Sequence, residues 1–149
     1  MRKFALFNLL LLFIGLTACK TTLEDANLAY DLYRFNKSAE MYEELYGQTK
    51  RDKQERAAIA FKAGESYRKK SEWRQAERWY RSAVRNEYSD PIVYYHLGQM
   101  HNMQQDFDKA REKFEEYKER APGSERAEDA LEQLKLYEEW VNDSTRYII

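Results

Sequence analysis

The chain is predicted to fold as an all-α protein, a helical-hairpin solenoid of about three repeats closed by a C-terminal capping helix. Three observations predict it. Glycine and proline are scarce, 5 and 2 in 149 residues, and Ala, Glu, Lys, Arg, Gln and Tyr dominate, a composition with few breakers and many helix formers. The sequence resembles itself at a spacing of 34 residues between 57–90 and 91–124, and a fixed period of this length marks stacked supersecondary units. The last segment, "ERAEDALEQLKLYEEWVND", carries Ala127, Ala130, Leu131, Leu134, Tyr137, Trp140 and Val141 on helical spacing.

In chain order, Met1-Arg2-Lys3 is a short basic start, and Phe4–Leu16 is an apolar run interrupted by Asn8 and Gly15. A membrane-spanning helix needs about 20 apolar residues, whereas a basic start, a shorter apolar core and small residues at its end read as a secretory signal. Leu16-Thr17-Ala18-Cys19 resembles the lipobox of bacterial lipoproteins. The resemblance implies cleavage before Cys19, a diacylglycerol thioether on its sulfur and an acyl chain on the new amino group. Stable anchoring takes more than one chain. Cys19 is the only cysteine, so no disulfide forms within the chain. The expected segments are a lipoprotein signal peptide at 1–18, a lipidated tether at 19–22, repeats at 23–56, 57–90 and 91–124, a capping helix at 125–141 and a tail at 142–149. Lys20 is not the aspartate that favours inner-membrane retention, and Glu24 and Asp25 come too late for a surface-export cluster. The expected location is the outer membrane, lipid-anchored and facing the periplasm.

Beyond residue 18 the chain has 23 basic and 26 acidic residues, a formal charge of −3. A general nucleic-acid binder needs a basic stripe, so that class is excluded. All 12 tyrosines and 3 tryptophans lie beyond the signal, which predicts an aromatic core.

At the spacing of 34, Ala63, Gly64, Glu65, Trp73, Ala76, Tyr80 and Ala83 match Leu97, Gly98, Gln99, Phe107, Ala110, Phe114 and Tyr117. These positions resemble the tetratricopeptide repeat. Gly64 and Gly98 are expected to let two antiparallel helices approach, as do Ala76 and Ala110 from the second helix; Tyr80 and Phe114 are expected to fill the space left between one repeat and the next. Asp90-Pro91 reads as a helix start, and "APGSE" at 121–125 as a break with Ser124 available as a cap. The unit at 23–56 is looser. Ala29, Tyr30 and Tyr33 precede Ala63, Gly64 and Tyr67 by 34, but Tyr33 to Ala39 is shorter than Tyr67 to Ala76. A shortened turn is expected there, with the slack returned in "GQTKRDKQE".

No phosphate loop, nucleophile elbow or metal motif occurs, so no enzyme is expected, and no cofactor beyond the covalent lipid on Cys19. His96 and His101, five apart, are expected to be partly exposed helix residues, since helical metal pairs favour a spacing of four and no cysteine or carboxylate cluster completes a site. The repeat resemblance implies instead a groove that holds a partner segment, lined by the first helix of each unit. Carried over, its positions are Glu24, Asn27, Asp31 and Arg34; Ala58, Phe61, Glu65 and Arg68; and Ile92, Tyr95, Gln99 and Asn102. Arg34, Phe61, Glu65, Arg68, Tyr95, Gln99 and Asn102 form the candidate site, since arginine and aromatic side chains anchor interfaces. An acidic or C-terminal peptide segment would suit this lining.

Lipobox and repeats together are found in several lipoprotein families. "AERWYRSAV" and "LEQLKLYEEWVNDSTRYII" resemble the N-terminal repeat region of Bacteroidetes OmpA-family lipoproteins linked to type 9 secretion and gliding. That resemblance implies a scaffold for protein partners of an envelope complex, with peptidoglycan bound only if a longer chain carries an OmpA-like domain. The alternatives are a β-barrel-assembly or pilotin-type lipoprotein, or the repeat region of a larger envelope enzyme.

Overall fold

The computed structural model describes residues 20–145. Among them are seven helices and no strand: α1 Leu23–Asp31, α2 Phe35–Gln48, α3 Lys53–Lys69, α4 Trp73–Arg85, α5 Ile92–Met103, α6 Phe107–Arg120 and α7 Glu125–Thr145. Each helix packs chiefly on its neighbours in sequence, as in a quasi-one-dimensional solenoid. The pairs α1/α2, α3/α4 and α5/α6 are the three hairpins, and α7 closes the end. Cys19 and the signal segment lie outside the described residues. No described helix is long and apolar enough to cross a membrane.

Local chemistry places the helix ends. Thr22 accepts from the backbone N–H of Asp25, whose carboxylate accepts in return, a reciprocal cap for α1. Asp52 caps α3 through the N–H of Glu55. Asp90 accepts from the N–H of Ile92, with Pro91 in helical conformation at the start of α5. Ahead of α7, the Ser124 hydroxyl donates to the Tyr117 hydroxyl of α6 at 3.3 Å. The last helix also runs to Thr145, past the expected 141.

The turn inside each hairpin is the same. The N–H groups of Arg34, Glu72 and Asp106 donate to the carbonyls of Ala29, Tyr67 and His101 at 2.9, 3.0 and 2.9 Å, and the residues before them, Tyr33, Ser71 and Gln105, have φ of 58, 59 and 61°. The first turn is therefore not shortened. The first hairpin stands 38 residues, not 34, before the second, so Ala26 corresponds to Gly64, Asn27 to Glu65 and Tyr42 to Tyr80. The slack lies in α3, which at 17 residues begins well before the counterpart of α5, at 12.

The core runs through the hairpins as a chain of buried rings and small residues. Tyr42, Tyr80 and Phe114 are buried, each beside the small residues Ala26, Gly64 and Gly98 of its own hairpin. A Cβ on Gly64 would stand 2.7 Å from the Tyr80 ring, and one on Gly98 2.5 Å from Phe114. Between hairpins, the buried hydroxyls of Ser38 and Ser66 meet at 2.9 Å. Leu134 of α7 is buried against Ala110 and Phe114 of α6.

Candidate functional site

The first helices of the second and third hairpins meet at His96 of α5, which lies 5.9 Å from the Phe61 ring and 3.5 Å from the Glu65 carboxylate of α3 and touches Tyr95 and Gln99 on its own helix. Glu65 is the hub. Its carboxylate accepts from Arg68 Nε at 3.0 Å and Nη2 at 2.7 Å, from the Tyr80 hydroxyl and from the Tyr30 hydroxyl at 3.4 Å. His96 Nε2 lies 3.5 Å away. Burial alone would raise the Glu65 pKa, but the donors Arg68 and Tyr80 and the neighbouring His96 and Arg68 charges hold it down at about 2. The same environment pushes the Tyr80 hydroxyl up, first through burial and then through the Glu65 charge. Arg68 is held protonated by its bonds to Glu65 against the opposing effect of burial.

Aromatic rings surround this hub. Phe61 stacks on Tyr88 with centroids 4.5 Å apart, and His96 stacks on Tyr80 at 5.3 Å. Tyr95 touches His96, Phe114 and Tyr117 and lies under the Arg126 guanidinium at 5.6 Å. Gln99 donates from Nε2 to the Tyr95 hydroxyl and places Oε1 3.0 Å from His96 Nδ1. Asn102 is half-buried, and its Oδ1 is buried without a hydrogen-bond partner.

Three expectations are corrected. Arg34 does not join the others: α1 ends at Asp31, and Arg34 starts α2 beside Leu28, Leu32, Lys37 and Met41. With the first hairpin offset by 38, Tyr30 takes the place assigned to Arg34, which is why its hydroxyl reaches Glu65. Secondly, Arg68 is no free anchor for an acidic peptide, because Glu65 already neutralises it in a two-point ion pair. Thirdly, the histidines are not exposed. His101 is buried and His96 nearly so, and burial lowers the pKa of both. They diverge: His96 faces Glu65, while His101 Nε2 lies 4.0 Å from Glu77 of α4. Among the described residues no group of three or more metal-ligating side chains forms.

Tyr30, Tyr80, Tyr88 and His96 were missed as members of the site. The aromatic pattern Tyr42, Tyr80, Phe114 could have revealed the true offset of the first hairpin, and with it Tyr30. His96 reaches the hub only through the packing of α5 on α4.

Residues 61–125 match the tetratricopeptide repeat family. Solved structures agree in fold. The second such domain of human RPAP3, in complex with an HSP70 peptide, is 17% identical, with a TM-score of 0.68 over 75% of this chain and 90% of that one. The type III secretion translocator chaperone SycD of Yersinia enterocolitica is 14% identical, with a TM-score of 0.67 over 76% and 81%. The Sgt2 domain of Aspergillus fumigatus is 17% identical, with a TM-score of 0.67 over 87% and 88%. No curated protein matches the chain. The chain is thus a protein of tetratricopeptide-repeat fold, a solenoid of three hairpins and a closing helix.

Proposed function

We propose that this protein is a membrane-anchored scaffold that holds a partner protein of a cell-envelope complex against the face lined by α1, α3 and α5. The observation that carries this reading is the continuous band of Tyr30, Phe61, Tyr88, Tyr95 and Gln99 around the Glu65 hub, half-buried and spread over three hairpins. Rigid rings with polar edges are what interface centres use. Solved relatives in fold hold peptides, an HSP70 peptide in RPAP3 and a peptide of the translocator YopD in SycD. With Arg68 neutralised, the occupant is a segment read chiefly by the aromatic faces of Phe61, Tyr88 and Tyr95. Cys19 carries the lipid that tethers the scaffold to the outer membrane on its periplasmic side. The protein performs no chemistry and takes no cofactor. The resemblance to type 9 secretion and gliding lipoproteins supports that machinery as the complex. β-barrel assembly, a pilotin role and a larger envelope enzyme are the competing homes.

The test is a photo-crosslinking amino acid placed at Gln99 and, as control, at the exposed Arg78 of α4, in cells making the lipidated chain. Adducts from Gln99 with a secretion, gliding or assembly protein are expected, and they name the complex. Adducts from Arg78 alone overturn the face. A Cys19→Ala protein that stays membrane-bound and fully functional overturns the anchor.

A further inference from the structure

Among the described residues no hairpin precedes α1 to cover it, and soluble arrays meet such an end with a polar outer face. Here it is apolar. Leu28 corresponds to Ser66 and Met100, which are 0% and 1% exposed because α2 and α4 pack on them; Leu28 itself is 56% exposed. Leu32 at 51% and Tyr33 at 82% continue the strip into the turn. Lys20, Arg34 and Lys37 line the same groove with Met41 and one carboxylate, Asp25, so its charge is net positive. Glu24 and Asp31 lie on the other flank of Leu28.

The chain reaches this face from Cys19 almost without slack. Thr22 caps α1, and the Thr21 hydroxyl donates to Glu44 of α2 at 2.5 Å. Only Lys20 separates Cys19 from residues fixed to the fold, a reach of about 7 Å at ~3.5 Å per residue. We propose that the open end of the solenoid, Leu28, Leu32 and Tyr33 flanked by Lys20, Arg34 and Lys37, rests on the lipid surface that the acyl chains of Cys19 enter. The inference relies on the lipid anchor proposed above. Leucines enter the headgroup boundary, tyrosine favours that depth, and long basic side chains reach back to anionic headgroups. The contact sets the orientation of the solenoid: its axis rises from the membrane, with later hairpins further out.

The experiment uses the lipidated mature protein in vesicles of phosphatidylethanolamine and phosphatidylglycerol. A nitroxide is attached to Leu32→Cys and, separately, to Gln133→Cys on exposed α7; the lipid on Cys19 leaves each new thiol unique. Relaxation by oxygen reports lipid, and relaxation by a water-soluble nickel chelate reports solvent. Oxygen-dominated relaxation at 32 and nickel-dominated relaxation at 133 are expected. Adding Leu28→Glu, which alters an exposed side chain and spares the core, shifts position 32 towards nickel. Nickel-dominated relaxation at 32 in protein that floats with the vesicles overturns the contact and leaves the anchor standing. Protection from both reagents means a second copy covers the face, and also overturns it. Protein that fails to float overturns the anchor, and the contact with it.

Discussion

The ring of Tyr80 lies on Gly64, where an added Cβ would approach its ring carbons to 2.7 Å. The glycine is therefore a packing requirement, since nothing in its helical backbone demands it. Gly64→Ala gains about 1 kcal/mol of helix propensity but overpacks a buried ring, at about 1–3 kcal/mol. A net loss of up to about 2 kcal/mol is expected from urea unfolding, and the same for Gly98→Ala against Phe114. Gly47, with nothing within 4 Å, supplies the opposite sign: Gly47→Ala stabilises by up to ~1 kcal/mol.

Tyr80→Phe tests the hydroxyl alone, with Phe114 as the natural counterpart. It removes a bond to a charged acceptor, worth about 1.5–3 kcal/mol. It also removes one of the donors that hold the Glu65 carboxyl at about 2. Carboxyl NMR titration should show the Glu65 pKa rising towards the ordinary value. An unchanged pKa would mean that Arg68 and His96 do the holding without the hydroxyl.

Arg68→Ala leaves the Glu65 charge with only hydroxyl and imidazole neighbours. Removing one partner of a fully buried pair costs about 3–5 kcal/mol; with the Arg68 side chain 25% exposed, about 1–3 kcal/mol is expected. Adding Glu65→Gln should recover part of the loss. Thermal unfolding of the single and double variants reads both, and a double variant worse than the single would refute the pairing.

Acid should weaken the fold in two stages. The histidines have folded pKa values below 6.5, so below pH 6.5 the unfolded chain takes up protons that the buried rings refuse, and stability falls. Glu65 has a folded pKa of about 2 against an ordinary 4.5. Its contribution is complete above 4.5 and is lost as pH falls towards 2. Urea midpoints measured from pH 8 to 3 should decline in both windows. His96→Gln should flatten the upper one and leave part of the lower.

The sequence showed the second and third hairpins clearly because the same contact, a ring on a glycine, is written twice at one spacing. The first hairpin was misaligned because its ring, Tyr42, lies on Ala26, and alanine is too common to mark a register. The extra residues also continue α3 backwards as helix, where polar "KRDKQE" reads equally well as a loop. Within the site, Glu65 and Arg68 share a helix face and were legible; Tyr30 and His96 come from other helices, through packing that no local pattern encodes.

The closing helix gives the sharpest test of one-dimensional behaviour. Leu134 is the buried residue through which α7 seals Ala110 and Phe114, helped by Arg111 and Glu138 at 2.5 Å and by Phe107 edge-on to Tyr137. Leu134→Ala should cost about 2–4 kcal/mol locally. Because each hairpin contacts mainly its neighbours, the loosening should fade with distance. Hydrogen exchange should speed up in α6 and α7, less in α5, and not at all in α1 and α2. A uniform increase across all seven helices would mean that the protein unfolds as a single cooperative unit, with stability shared end to end.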